Sequence, residues 1–168
     1  MADSTKTLLI VYHSMTGGTR QMAEAARDGA AFAAGAAAVR LLQAREAGAA
    51  DVLAADGFLF ATPENLAAMS GMLKDFFDRS YYAVLDRVNG RPYASLVCAG
   101  SDGHGAARQI ERIATGWRLR PVADPLIVCT HAQTPQAILA DKQVGLDDLE
   151  RCRALGEALA TGLALGVF

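Results

Sequence analysis

Residues 7–19, TLLIVYHSMTGGT, decide the fold. Thr7 to Tyr12 is a short, nearly continuous apolar run, the kind that suits a strand buried on both faces. His13 to Thr19 is a polar turn carrying Gly17 and Gly18. From Thr19 to about Ala34 the pattern is helical, with Met22, Ala26, Ala30 and Ala33 as an apolar stripe. Strand, glycine turn and helix thus follow one another within the first 34 residues.

The same alternation continues. Residues 38–42 and 57–61 read as strands, with a short helix over 49–55 between them. Residues 62–67 read as a loop, because Pro63 removes a backbone donor and biases Thr62 toward extended geometry. The helix after it places Met69, Met72, Leu73, Phe76 and Phe77 on one side. Asn89-Gly90 marks a turn over 87–92. Residues 93–99 form a fourth strand, and 100–105, GSDGHG, a second glycine-rich loop. A helix runs on to about Thr115 with Ala107, Ile110 and Ile113 inside. Residues 126–129 are the core of a fifth strand, and 130–145 read as irregular or partly helical. The last helix opens near Asp147, where Asp147 and Asp148 favour the positive end of the dipole. Leu149, Cys152, Leu155, Leu159 and Leu163 line its inner face. Five strand–helix alternations with short links predict a parallel α/β sheet with right-handed crossovers and helices on both faces. Residues 1–168 are expected to form a single domain. In such sheets ligands bind at the carboxyl ends of the strands, near the switch in strand order. That rule gathers the loops 13–19, 62–67 and 100–105.

Composition narrows the function. The 168 residues are 52% hydrophobic and carry a net charge of -2 with no basic run, which excludes nucleic acid as a partner. No segment approaches the ~20 apolar residues of a membrane span. The apolar run at 8–12 is too short for a secretory signal, and a cytoplasmic location is expected. Cys98, Cys129 and Cys152 are odd in number and form no CxxC pair, so they read as buried, reduced thiols. Three scattered histidines and three scattered cysteines make no zinc pattern. Trp117 and Tyr81-Tyr82 read as packing or rim residues.

The first loop carries the chemistry. Ser14, Thr16 and Thr19 offer hydroxyl donors, and Gly17 and Gly18 let the backbone curl its N–H groups inward. The loop runs into a helix N-terminus, whose free amides and dipole attract an anion. Three hydroxyls and two glycines in six residues exceed what a helix cap requires. The loop holds no lysine and no GxxxxGK[ST] pattern, which disfavours triphosphate hydrolysis, and no GxGxxG. A small phosphate monoester bound by neutral donors fits best. His13 borders this loop.

Residues 10–19, IVYHSMTGGT, with Ala23 behind them, resemble the FMN-phosphate signature of flavodoxins. Ala61-Thr62-Pro63 and the following 69–79, MSGMLKDFFDR, resemble the corresponding region of the NAD(P)H-dependent FMN and quinone reductases of the flavodoxin superfamily. The resemblance implies a flavodoxin-like three-layer sandwich with a five-stranded parallel sheet in order 2-1-3-4-5 and FMN at the strand tips. By it, Ser14, Met15, Thr16, Gly17, Gly18 and Thr19 hold the phosphate. The flat, amphipathic ring then lies between two loops: Thr62, Pro63, Glu64, Asn65 and Leu66 on one side, Gly100, Ser101, Asp102, Gly103, His104 and Gly105 on the other. Pro63 and Leu66 supply apolar surface, and Glu64 and Asn65 supply hydrogen bonds. Asp102 and His104 are the candidate catalytic pair, a charge or proton relay beside the flavin.

The pattern departs from electron-carrier flavodoxins. Neither ring loop contains Trp, Tyr or Phe, 62–67 lacks glycine, and the chain is nearly neutral. An open ring face leaves room for a nicotinamide or a quinone to stack. The leading expectation is an FMN-dependent oxidoreductase that moves two electrons from a small-molecule donor, NAD(P)H, to a small acceptor such as a quinone. The alternatives are an electron carrier and a cofactor-free binding module. A homo-oligomer, as among some reductase relatives, is a further expectation.

Overall fold

The computed structural model describes residues 5–33, 35 and 37–168. The predicted end of the first helix at Ala34 lies outside them. Strand β1 (Thr7–Tyr12) leads into α1 (Gly18–Phe32), β2 (Ala38–Gln43), α2 (Ala49–Ala54) and β3 (Gly57–Asn65). Then come β4 (Ala68–Met69), α3 (Gly71–Val84), β5 (Pro92–Ala99) and α4 (His104–Gly116). The chain closes with β6 (Arg120–Pro121), β7 (Leu126–Cys129), α5 (Pro135–Leu139) and α6 (Leu146–Leu165).

The sheet order is β2-β1-β3-β5, followed by an edge that two segments share. β6 pairs in parallel with Pro92 and Tyr93, and β7 pairs in parallel with 96–99 of the same strand. The expected order 2-1-3-4-5 is therefore present, with the fifth strand interrupted. The break falls at Asp124-Pro125, where proline removes a ladder donor. All these core pairings are parallel.

Alternation along β1 assigns its side chains to opposite layers. Leu9 and Val11 join Phe58, Phe60, Leu73, Phe76, Phe77 and Ile110 on the α2–α3–α4 side. Leu8 and Ile10 join Met22, Ala26, Cys152 and Leu159 on the α1–α6 side. Each fully buried Leu or Phe contributes ~1.5–3 kcal/mol relative to exposure. Trp117 is wholly buried; its indole N–H donates to the Tyr81 carbonyl at 3.1 Å and its ring stacks on Tyr81 at 6.0 Å. Trp117 and Tyr81 are thus packing residues, while Tyr82 is exposed.

Several expectations need correction. Residues 62–65 are not loop: β3 continues through Asn65 and turns back antiparallel into β4, with Glu64 opposite Met69. Met69 therefore lies in that hairpin, not on α3. The helix begins after Ser70, an extended N-cap whose hydroxyl accepts from Leu73 N at 3.2 Å. Met72 falls on the outer face, 38% exposed. His104 and Gly105 belong to α4 rather than to the loop before it. Ile113, Leu149 and Leu155 are half-buried, and Cys129 is half-buried where a buried thiol was expected. The undecided stretch 130–145 contains α5, capped by Thr134, whose hydroxyl accepts from Ala137 N at 3.2 Å.

Candidate functional site

The turn after β1 is built for α1. Gly17, the N-cap, takes a left-handed φ of 93° that favours glycine, and its N–H donates to Ser14 Oγ at 3.1 Å. Gly18 admits no side chain: a Cβ there would stand 2.6 Å from Cys98 Sγ. No acidic residue occupies the first turn of α1, so the helix's own first turn does not neutralise its positive end. Thr19 is 2% exposed, yet its buried hydroxyl has no hydrogen-bond partner. A buried, unsatisfied hydroxyl costs about 1–3 kcal/mol, so its presence at this end of the helix points to a ligand that completes it.

A cavity of about 550 Å³ opens beside this turn. Of the residues expected to hold the phosphate, Ser14, Met15, Thr16, Gly18 and Thr19 line it, while Gly17 does not. Pro63, Glu64, Asn65 and Leu66 line it from the β3–β4 hairpin, and Gly100 and Ser101 from the end of β5. The three strand-end loops therefore converge. None of the lining residues is aromatic.

Five expected site residues stand behind or beside the wall. Thr62 is fully buried; its hydroxyl donates to the Pro63 carbonyl at 2.8 Å and accepts from Ser70 N at 3.0 Å, which fastens the hairpin base. Gly103, with φ of 94°, packs where a Cβ would stand 2.5 Å from Ile127 Cγ2. At Gly105, a Cβ would overlap the Ala67 carbonyl, so this glycine lets α4 touch the hairpin tip. Asp102 and His104 do meet, Oδ1 to Nδ1 at 2.6 Å, but as an exposed pair that lines no part of the cavity. Hydrogen bonds from the His104 ring, then from its backbone N–H, hold the Asp102 carboxyl below its ordinary value.

Glu64 plays a part that the sequence did not suggest. Its carboxylate accepts from Gly103 N at 2.9 Å and Ala106 N at 3.0 Å, so it caps α4 while lining the cavity. This bond pair ties the hairpin to α4. It also offsets the left-handed tip, where Leu66 and Ala67 hold φ of 51° and 63°. Glu64→Gln leaves one of the two amides facing a neutral carbonyl oxygen and the other facing an NH2 donor, with no acceptor. We expect a loss of about 1–3 kcal/mol in chemical denaturation. Faster hydrogen exchange at the Gly103 and Ala106 amides should accompany it.

Sequence reasoning missed the fourth wall. Thr130, Ala132, Gln133, Ile138 and Lys142 all line the cavity, as does Cys98 beneath the turn. Burial pushes the Cys98 thiol up to about 11, which keeps it protonated. Lys142 N donates to the Thr16 carbonyl at 2.9 Å, and Gln21 Nε2 donates to the Lys142 carbonyl at 2.7 Å. The Lys142 ammonium is turned away to the carbonyls of Ala137, Ile138 and Ala140. The carboxyl end of the fifth strand was a signal open to the strand-end rule, which reaches the 130–133 stretch directly. Lys142 had no such signal. His13 sits at the start of the turn; burial lowers its pKa, and Nδ1 is buried without a partner.

An FMN phosphate suits this nest: open amides, an orphaned threonine hydroxyl and a glycine pressed against sulfur leave room and donors for a dianion. The family model described as NADPH-dependent FMN reductase matches residues 43–133. A curated protein of Aquifex aeolicus (strain VF5) named Flavodoxin is 30% identical over 165 residues, covering 95% of this chain and 88% of the relative. A solved flavodoxin from the domain Archaea superposes with a TM-score of 0.75 at 19% identity, covering 94% of this chain and 98% of that one. A flavodoxin, WrbA-like protein from Agrobacterium tumefaciens does so with a TM-score of 0.65 at 21% identity, covering 93% and 96%. At these identities the two solved structures speak to the fold.

Proposed function

Because this chain belongs to the flavodoxin-like superfamily of FMN-binding flavoproteins, we propose that it is an oxidoreductase that passes two electrons from NAD(P)H to a quinone or similar small acceptor. The observation that carries this reading is the open, aliphatic cavity. Its rim is formed by Met15, Leu66 and Ile138, all exposed, and no aromatic side chain covers it. A flat substrate ring therefore has a free face to stack on.

Bound FMN would supply a ring that accepts hydride and returns electrons, and the chain's residues would position and shield it. In this proposal Ser14, Met15, Thr16, Gly17, Gly18 and Thr19 hold the phosphate. Pro63, Glu64, Asn65 and Leu66 form one ring wall, with Gly100 and Ser101 opposite, while Thr62, Gly103 and Gly105 support these walls from behind. The role assigned to Glu64 is to fix the hairpin against α4. Asp102 and His104 stand next to cavity-lining Ser101, and we assign them proton relay at the solvent rim. No protein nucleophile is needed.

The match over 95% of this chain to a protein named Flavodoxin favours a second reading, an electron carrier served by separate partners. Anaerobic mixing separates the two. FMN-loaded protein should lose its visible absorption on adding NADPH or NADH alone, and should sustain nucleotide oxidation once a quinone is present. Loss of absorption only after a separate reductase is added would establish the carrier.

A further inference from the structure

A second cavity, of about 420 Å³, adjoins the first. Ser14, Met15, Thr16 and Lys142 line both, so a ridge one loop thick divides them, with Met15 52% exposed upon it. The remaining wall is polar, with His13, Arg20, Gln43, Asp141 and Gln143 among its members. The Arg20 guanidinium lies over the turn, Nη2 3.6 Å from where a Gly17 Cβ would be. Its cationic neighbour Lys142 is committed to the carbonyls of Ala137, Ile138 and Ala140. Arg20 is exposed and has no carboxylate partner among the described residues.

We propose that this second cavity takes the phosphorylated adenosine end of NADPH, with Arg20 as the residue that grips the 2′-phosphate and sets preference over NADH. The inference rests on the electron-donor reading above. Guanidinium and phosphate match as a two-pronged, charge-assisted pair. This chain ends β2 with Gln43, a neutral amide that lines the cavity. The buried, unpaired Nδ1 of His13 belongs to the same wall. A dinucleotide with its nicotinamide over the first cavity crosses the Met15 ridge and drops its far end into the second. Asp141, the one acid in the lining, opposes Arg20 in sign, so Asp141→Asn should tighten the phosphate.

Calorimetric titration of the FMN-loaded protein with 2′,5′-ADP and 5′-AMP tests the site without turnover. The 2′-phosphorylated nucleotide should bind at least tenfold more tightly. Arg20→Gln should erase that difference, and Arg20→Lys should keep part of it. In steady state, Arg20→Gln should lower the NADPH-to-NADH ratio of kcat/KM at least tenfold through KM. Equal binding of the two nucleotides, or a preference unchanged in Arg20→Gln, overturns the site. If neither dinucleotide reduces the flavin while Arg20-dependent binding of 2′,5′-ADP persists, the donor reading fails and the phosphate site stands. If both reduce it with a ratio indifferent to Arg20, the donor reading stands and the site fails.

Discussion

Gly156→Ala should melt roughly 6–12 °C below the parent protein, as read by thermal denaturation, for a loss of about 3 kcal/mol. The reason lies in the seam between α1 and α6. A methyl at Gly156 would fall inside contact distance of the Ala26 carbonyl oxygen, and one at Gly29 would meet the Arg153 carbonyl in the same way. Both obstacles are backbone, so no side chain can turn aside. The helices must move apart, and Met22, Ala26, Cys152 and Leu159 lose packing together. Gly71→Ala serves as the contrast. Its Cβ would meet nothing within 4 Å at the start of α3, and alanine is the better helix former there. That variant should hold or gain stability by about 0.4–1 kcal/mol.

Thr16→Ala combined with Thr19→Ala should weaken FMN binding by about 1–3 kcal/mol, close to a 5–150-fold rise in Kd. Thr19 is the sharper half of the pair, because its buried hydroxyl has no partner within the chain. Removing it costs the free protein no hydrogen bond and relieves an unsatisfied group. The double variant should therefore fold at least as well as the parent while it binds FMN less well. Fluorescence titration of the flavin reads the first effect and thermal denaturation the second.

Much of this architecture could be read from the chain. The β1 run and its turn placed the first strand, the turn after it and α1, because a doubly buried strand and a glycine turn obey local rules. The parallel sheet followed from alternation, and its strand order from the resemblance alone. The errors share one cause, which is tertiary bonding that composition does not encode. Residues 62–65 look like loop because of Pro63, yet the Glu64 carboxylate and the α4 amides draw them into a hairpin. Met69 and Met72 share a helical spacing, but Ser70 starts the helix between them. Lys142 reaches the phosphate turn through backbone bonds to Thr16 and Gln21, more than 120 residues away in sequence, and no local pattern announces that.

What anchors the cofactor, on this account, is its charged tail rather than its ring. Riboflavin has the same ring and no phosphate, so the ratio of its Kd to that of FMN isolates the nest. Two or more hydrogen bonds to a charged group, at about 1.5–3 kcal/mol each, predict that FMN binds at least ~100-fold more tightly than riboflavin. Equal affinities for the two flavins would contradict it.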